Sequence, residues 1–330
     1  MYLGLSFVLA GLVSHAFAYV IFPESYASAN VSAMYTNEAT NTISIKDEYG
    51  HIREVAYWVN SDNEAVIDGD IIYGSVDDLM ANAHTTEGED RNSFERRSLS
   101  VFRGAKTWPR GMLVYKYKDE DTEHLLQHFV DEAIETWRRS APYLKFRRLS
   151  NSAEPKDGVV TITANPCGGC NAHVGYDGQR PLRMNLQQSC GARRGGCHYA
   201  EALHEIGHLL GLKHEHQRPD RERTVHFKCE NLDPKCNNMP RGGTCCGSYP
   251  SGCCKHKFNF DIAYGMDSSG PYDIRSVMQY RADSFALPGR KTLVPAVRGV
   301  RVPTHNIDQL SYWDIRRICK LYNRRGAYCR

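Results

Sequence analysis

The run from His204 to His214, HEIGHLLGLKH, constrains this chain more than any other part of its sequence. Side chains four positions apart share one face of a helix, so the imidazoles of His204 and His208 can bind one ion. Gly211 can adopt a left-handed conformation that ends the helix, and the chain then brings His214 to the same ion. Three neutral nitrogen ligands leave one coordination position open, as in catalytic zinc sites.

Glu205 directly follows the first of these histidines, where its carboxylate can take a proton from a water molecule on the metal. A bare H-E-x-x-H pattern arises by chance in roughly 1% of chains of this length, and the added glycine and histidine lower this on the order of a thousandfold. Histidines on an ordinary helix face are therefore the weaker interpretation. The run predicts one catalytic Zn²⁺ ion held by His204, His208 and His214, with Glu205 as the general base.

The sequence after this run extends the pattern. Residues 204–221 read HEIGHLLGLKHEHQRPDR, and a segment SVMQY lies downstream at residues 276–280. Together they resemble the astacin family of zinc metalloendopeptidases, which are metzincins with the signature H-E-x-x-H-x-x-G-x-x-H-E-x-x-R-x-D. Every fixed position of that signature is present, including Glu215, Arg218 and Asp220.

This resemblance implies roles for three further residues. Met278 would form a turn that lies as a hydrophobic floor beneath the metal. Tyr280 would ligate zinc through its phenol oxygen and swing away to stabilise the transition state. Glu215 would pair indirectly with the amino group that trimming of the chain creates. Gln279 stands where the family commonly has histidine, so local packing is expected to differ there.

The likeness extends over most of residues 98–330. The segment from Trp108 to Gly111 resembles the start of the family's mature domain, and residues 258–261, FNFD, resemble a segment ahead of the Met278 turn. We therefore expect residues 98–330 to be a single astacin-like catalytic domain.

The 12 cysteines all lie at or after Cys167, and their even number is typical of disulfides formed in an oxidising compartment. The resemblance implies that Cys170 and Cys197 form the bridge beside the active-site helix. Leu144 stands where the family commonly has a cysteine, so the usual bridge from there to the C-terminus is expected to be missing. An insertion adds cysteines that the simplest members lack. We expect disulfides among them and keep a second zinc site as the alternative (Cys229, Cys236, Cys245, Cys246, Cys253, Cys254).

The first 18 residues are mostly apolar, carry no formal charge and end in Ala16-Phe17-Ala18. They predict a secretory signal peptide, and hence an extracellular protein, although a basic start is missing and a buried N-terminal helix is the alternative. No later stretch approaches the ~20 apolar residues of a membrane helix. Asn30-Val31-Ser32 is a glycosylation sequon, which fits secretion.

Charge divides the remaining chain at the dibasic pair Arg96-Arg97. Residues 19–97 contain 15 acidic and 5 basic side chains, a net charge of −10, whereas residues 98–330 carry +13. Opposite charges would help the first segment to cover the second, so residues 19–97 are predicted to be an acidic propeptide. An acidic disordered tail is the alternative. Two apolar pairs, Val66-Ile67 and Ile71-Ile72, favour a docked segment.

Asp70 lies in the sequence IDGDI, which resembles the astacin prodomain motif F-x-G-D with Ile67 in place of phenylalanine. In that family the aspartate occupies the water site on zinc and keeps the enzyme latent. A carboxylate oxygen is a reasonable zinc ligand. The alternative is an exposed Asp-Gly turn.

Hydrophobic periodicity predicts an α+β fold. Residues 112–115 and 159–163 are predicted strands, residues 181–188 form a weaker one, and 121–139 have the spacing of an amphipathic helix. Residues 199–210 are predicted to be the active-site helix and 310–322 a short final helix. With the resemblance, this implies a zincin-like fold: a twisted mixed sheet, a backing helix, an active-site helix and an irregular, disulfide-rich C-terminal half.

The predicted function is a secreted zinc-dependent endopeptidase, made as a latent zymogen, that hydrolyses peptide bonds with a zinc-activated water. Its expected partners are protein or peptide substrates and its own propeptide, with no nucleic acid and no membrane span, and it is expected to be monomeric. Two other classes stay open: a zinc-binding pseudoenzyme or adhesin, which the retained Glu205 disfavours, and a cysteine-rich structural surface protein.

Overall fold

The computed structural model of the chain describes residues 39–46, 51–83, 107–190, 195–266, 268 and 270–322. The predicted signal peptide, the Asn30 sequon and the Arg96-Arg97 pair lie outside these ranges. Contacts divide the chain into Met1–Asn30 and Val31–Arg330, and every described residue belongs to the second unit. Among the described residues, no helix is long and apolar enough to cross a membrane.

The strands and α-helices of the described residues have the following bounds. In chain order they are β1 Asn41–Lys46, β2 Ile52–Val59, β3 Glu64–Ile67, β4 Ile71–Ser75, α1 Val76–Ala81, β5 Met112–Tyr117, α2 Glu120–Ser140, β6 Lys145–Arg148, β7 Val160–Thr163, β8 Cys170–His173, β9 Leu182–Leu186, α3 Tyr199–Leu209, β10 Val225–Phe227, β11 Leu293–Pro295 and α4 Tyr312–Tyr322.

Nine of these strands form one mixed sheet in the order β1-β2-β3-β4-β8-β9-β7-β5-β6. Strands β6, β5, β7 and β9 run parallel to one another, whereas β8 pairs with β9 in the antiparallel direction. Helices α2 and α3 pack against each other beside the sheet. The predicted α+β class, with a mixed sheet, a backing helix and an active-site helix, is confirmed.

Helix α2 is the predicted backing helix and extends one residue further at each end. Its N-terminus is capped by Asp119, whose carboxylate accepts a hydrogen bond of 2.8 Å from the Thr122 amide. Its apolar stripe is buried as the 3.6-residue period requires, and Trp137 on that stripe donates its indole N–H to the Leu203 carbonyl at 3.0 Å. This bond fixes α2 against the helix that carries the HEIGH sequence.

Strand β8 was not among the predicted strands. Its sequence, Cys-Asn-Ala-His, has neither the alternation nor the β-branched residues that identify a strand. All four residues are buried, because β9 covers one edge, β4 the other and α3 packs nearby. Tertiary contacts therefore make this segment a strand.

The acidic segment contributes the antiparallel meander β1–β4 and the short helix α1. Helix α1 begins with a capping box, in which Ser75 and Asp78 satisfy each other's backbone N–H groups. Apolar residues of the meander form their own buried cluster with Val174, the residue that follows β8. Residues 51–83 are thus folded, and the alternative of a disordered tail is wrong for them.

The C-terminal half between α3 and α4 is irregular, as predicted: its described residues contain the short pair β10–β11 and several short 3-10 helices. Three disulfides cross-link the insertion: Cys229–Cys246, Cys236–Cys253 and Cys245–Cys254. Disulfides among these six cysteines were the preferred expectation, and this pairing leaves none of them as a free thiolate for a second zinc site.

Two further bridges lie on the N-terminal side of α3, and the structure links Cys170 to Cys197, the pair that the resemblance implies. Leu144 is buried in the main core, where the family's cysteine would stand. Cys319 in α4 is also disulfide-bonded.

Candidate active site

Three histidines converge at the C-terminal end of α3. His204 and His208 lie one turn apart on the helix, and their Nε2 atoms are 3.0 Å apart. Gly211 has a φ of +104°, the left-handed conformation that turns the chain out of the helix. His214 then approaches from the following segment, with its Nε2 atom 3.2 Å from that of His208. All three side chains are buried.

Backbone carbonyls orient two of these rings. The Nδ1 atom of His204 lies 2.6 Å from the Val277 carbonyl oxygen, and that of His208 lies 2.8 Å from the Leu212 carbonyl oxygen. A carbonyl can only accept, so each Nδ1 carries the proton and each Nε2 presents a lone pair. Burial also lowers the pKa of His208 to about 4, which keeps its ring neutral near pH 7.

This donor set fits a zinc ion. Lone pairs that face one another at 3.0–3.2 Å repel unless a cation lies between them. A tetrahedral zinc ion with bonds of about 2.0–2.1 Å separates its ligand atoms by roughly 3.3 Å, close to the distances here. The ligand atoms of Asp70 and the three histidines all lie within 4.8 Å of one another, as a single ion requires.

Asp70 of the acidic segment supplies the fourth group. Its carboxylate oxygens lie 2.9 Å from the Nε2 atom of His214 and 3.5 Å from those of His204 and His208. The side chain is fully buried and neither oxygen has a hydrogen-bond partner among the described residues. Its own backbone carbonyl accepts a hydrogen bond of 3.0 Å from the Ala172 amide in β8, which fixes its position.

Glu205 follows His204 on α3, and its carboxylate is buried close enough to Asp70 for the two charges to interact. Neither of its oxygens has a hydrogen-bond partner among the described residues, and its side chain is inaccessible to solvent. Burial, followed by the charges of Asp70 and Glu201, raises the pKa of Glu205 well above its ordinary value. A buried carboxylate without partners is costly in a native structure, which fits a group that must accept a proton.

Tyr280 lies beside His214, with the two ring centroids 4.6 Å apart. Its ring stacks on His216 at 3.8 Å, and its phenol donates a 2.5 Å hydrogen bond to the Asp68 carbonyl. Gly69, at φ +93°, passes so close that a Cβ atom there would clash with the phenol oxygen. The Asp-Gly-Asp segment therefore contacts both Tyr280 and the histidines.

Met278 packs against the helix that carries the histidines. Its role as a hydrophobic floor beneath a metal ion stays a prediction. A Cβ atom on Gly207 of α3 would lie 2.7 Å from the Met278 sulfur, so only glycine permits this close approach. Sequence reasoning did not assign a role to Gly207, although a glycine inside a helical pattern is itself a signal of close packing.

Asp314 of α4 holds the turn that carries Met278. Its carboxylate accepts hydrogen bonds from the Ser276 hydroxyl at 2.5 Å and the Val277 amide at 3.0 Å. Because the Val277 carbonyl orients His204, Asp314 positions a candidate metal ligand through this turn. No motif in the sequence indicated Asp314.

Glu215 is buried behind the site and engages groups distant in the chain. One carboxylate oxygen lies 2.8 Å from an Arg317 nitrogen and 3.2 Å from an Arg218 nitrogen, and accepts a 2.6 Å bond from the Asp273 amide. Burial raises the pKa of Glu215 to about 7, opposed by the two guanidinium groups. Sequence reasoning missed Arg317. Pairing of Glu215 with a new amino group stays a prediction.

Comparison with known proteins places this site in a family. A family model described as Astacin, a peptidase family, matches residues 100–239. Over these residues the chain matches the astacin family. It is 27% identical over 267 residues to Astacin-like metalloprotease toxin 1 of Loxosceles intermedia, an alignment that covers 77% of this chain and 87% of the toxin.

The structure of a second relative is known. High choriolytic enzyme 1 of Oryzias latipes is 31% identical over 157 residues, covering 47% of this chain and 48% of that protein. The solved structure of this hatching enzyme zinc-protease superposes with a TM-score of 0.49 at 22% identity, covering 66% of this chain and 94% of that one. This match and these relatives make the chain a zinc-dependent metalloendopeptidase.

The remaining histidines near the astacin signature differ in their surroundings. His198, at the N-terminus of α3, is exposed, whereas His173 and His216 are buried. Gln279, the departure from the family pattern, accepts a hydrogen bond from the Tyr272 phenol and donates one of 2.9 Å to the Tyr280 carbonyl. Gln279 thus fixes the backbone of the residue that contacts Asp68.

Proposed function

We propose that the chain is the secreted precursor of a zinc-dependent endopeptidase, held latent by residues 19–97. The observation that carries this proposal is the Asp70 carboxylate, buried between His204, His208 and His214 at 2.9–3.5 Å. A carboxylate in that place would fill the coordination position that a catalytic zinc site keeps open. In this proposal the three histidines hold one ion, and the precursor cannot admit water or substrate to it.

The catalytic step after activation follows from the surrounding side chains. Zinc, when bound, activates a water molecule as a nucleophile and polarises the scissile carbonyl group. Glu205 takes the proton from that water, and its buried carboxylate, which has no hydrogen-bond partner among the described residues, supports this assignment. It later delivers the proton to the leaving amine. The phenol of Tyr280, released from the Asp68 carbonyl, donates to the scissile oxygen as negative charge develops.

The acidic segment supports latency at three further points. Strand β4 pairs with β8, which would become an edge strand once the acidic segment is removed and could then bind an extended substrate by backbone hydrogen bonds. The Asp68 carboxylate forms a two-pronged ion pair with Arg53, at 2.8 and 2.9 Å, which braces the turn next to Asp70. The Asp68 carbonyl engages Tyr280. Removal of the segment would release all three.

Secretion is the second part of the proposal. Five disulfides within the described residues are typical of a protein that folds in an oxidising compartment. The apolar leader at residues 1–18 and the Asn30 sequon agree with this. We infer that the protein acts outside the cell, as a monomer, on protein or peptide substrates.

The test is production of the full chain in a secreting cell, followed by N-terminal sequencing of the product. Trimming near Arg97, one zinc ion per chain and peptide cleavage by the trimmed form are the expected results. A protein that binds zinc and cleaves no peptide in a diverse library would favour the pseudoenzyme or adhesin. Absence of both zinc and cleavage would favour a structural protein. An intact precursor as active as the trimmed form would contradict latency alone.

A further inference from the structure

Two arginines of the catalytic part contact the acidic segment. Arg183 in β9 forms ion pairs with Asp62 at 2.8 Å and Glu64 at 3.1 Å. Arg180, in the loop between β8 and β9, donates to the Tyr73 carbonyl at 3.2 Å and lies 3.6 Å from the Asp78 carboxylate. Both guanidinium groups thus face the acidic segment, as its charge of −10 leads one to expect.

The two arginines differ in which strand they face. The partners of Arg183 belong to β3 and the turn before it, and β4 lies between β3 and β8. Arg180 instead contacts β4 itself, the strand hydrogen-bonded to β8, and a Cβ atom on Gly74 would clash with its guanidinium group. A single extended peptide that replaced β4 would therefore meet Arg180 and would not reach the contacts of Arg183.

The register on β8 sets the distance of Arg180 from the reaction centre. Ile71 is paired with Ala172, and Ile72 with His173, so each residue of β4 after Asp70 lies one position further along β8. Tyr73 and Gly74, which contact Arg180, are the third and fourth residues after Asp70. At about 3.3 Å per residue, Arg180 lies roughly 10–13 Å along the strand from the residue at the metal site.

Arg180 is held ready by a neighbour that would stay in place. Asp177 lies 3.1 Å from its Nε atom, which leaves the two terminal nitrogens directed at β4. The side chain is already 26% exposed with the acidic segment in place. Loss of that segment removes the Asp78 carboxylate and the Tyr73 carbonyl, so both terminal nitrogens can donate to a new anionic partner.

We propose that Arg180 is a specificity-determining residue of the trimmed enzyme, which selects an acidic side chain three or four residues from the scissile bond. Antiparallel pairing with β8 is the more stable arrangement and places this side chain on the N-terminal side of the cut. The inference rests on the proposed function, because it needs a peptide bound along β8. It adds a preferred substrate class: extended segments with aspartate or glutamate at that position.

The experiment compares peptides that differ only in Glu or Gln at the third or fourth residue before the cut. The secreted full-length chain, trimmed near Arg97, is assayed for kcat/KM with each peptide. We expect a roughly two- to five-fold preference for Glu, the range for one partly exposed ion pair, and its decline as salt is raised. Arg180→Ala should abolish the preference and Arg180→Glu should reverse it.

Arg183→Ala is the matched control, since it removes an equal charge from the same face and should keep the preference for Glu. If both variants lose the preference for Glu equally, the overall positive charge of the domain selects the peptide, and the assignment to Arg180 is overturned. A preference confined to Glu on the C-terminal side of the cut would also overturn it. So would equal kcat/KM values of the wild type for the Glu and Gln peptides. These outcomes all require cleavage. If no peptide is cleaved by the zinc-loaded wild type, the proposed function itself fails.

Discussion

The phenol of Tyr280 donates a 2.5 Å hydrogen bond to the backbone carbonyl of Asp68. The acceptor is a carbonyl oxygen two residues before Asp70, whose carboxylate lies among the three histidines. The acidic segment therefore engages the candidate metal site and the candidate transition-state residue with one short turn. Gly69 between them has φ +93° and no room for a side chain, so the turn depends on glycine.

Tyr280→Phe is expected to lower kcat of the trimmed enzyme more than it changes KM. The phenol would donate to the scissile oxygen mainly as charge develops there, so its loss raises the transition state more than the bound state. Loss of one such donor typically lowers kcat about 10²–10³-fold. Steady-state kinetics on one peptide decide the question, and a change confined to KM would contradict the role.

Asp70→Ala should make the uncut precursor partly active. Without the carboxylate, the fourth position near His204, His208 and His214 becomes available to water, although β4 still lies on β8. Peptide cleavage by the intact precursor is the measurement. Asp77→Ala, an exposed acidic residue in the first turn of α1, serves as the control and should stay latent. Equal activity of both variants would show that the segment inhibits by general charge.

Glu205→Gln should keep zinc bound while peptidase activity falls by about 10²–10⁴-fold or more. Glutamine has nearly the shape of glutamate but cannot take a proton from water. The three imidazoles and the carbonyl bonds of His204 and His208 are unchanged by the substitution. Metal analysis and a peptide assay on the same sample give the answer, and near-normal cleavage would exclude Glu205 as the base.

Gly207→Ala should lower both stability and zinc affinity. The added methyl group would lie 2.7 Å from the Met278 sulfur, and such overpacking costs about 1–3 kcal/mol. The gain of roughly 1 kcal/mol from alanine in a helix offsets part of this. For each kcal/mol of stability that is still lost after this offset, we expect Tm to fall by about 2–4 °C. Gly247→Ala, where a Cβ atom has no neighbour within 4 Å, should leave Tm and zinc content unchanged.

Asp314→Asn should weaken zinc binding roughly 10-fold without removing any candidate ligand. The asparagine side chain has one acceptor oxygen in place of two, so it cannot accept all the bonds that Asp314 accepts from the Ser276 hydroxyl and from the Val277 and Ser311 amides. We expect the Val277 carbonyl to shift as a result, and with it the ring of His204. Competition with a chelator measures the affinity. Asp308→Asn, at an exposed acidic residue ahead of α4, is the control, and an equal loss there would contradict a positioning role.

Features carried by contiguous residues could be predicted from the sequence. The four-residue spacing of His204 and His208, with Gly211 after them, predicted a helix that ends before His214, and α3 has that form. The apolar stripe of helix α2 and the strand at Val160–Thr163 could also be predicted from neighbouring residues, because backbone geometry sets the periods of 3.6 and 2 residues. The role of each histidine as a zinc ligand stays a prediction, although the structure brings all three together.

Contacts between distant segments were decided only by the tertiary structure. Strand β8 has no strand pattern of its own and exists because β4 and β9 satisfy its two edges. The Arg317–Glu215 pair joins residues 102 positions apart, and Asp314 reaches Val277 across 37. The spacing of residues along the chain does not predict such pairs. A buried charge needs a partner, but any complementary group that the fold brings near can serve, whatever its position in the sequence. The sequence by itself thus determined the chemistry of the site, and the folding of the acidic segment onto β8 decided that Asp70 lies within that site.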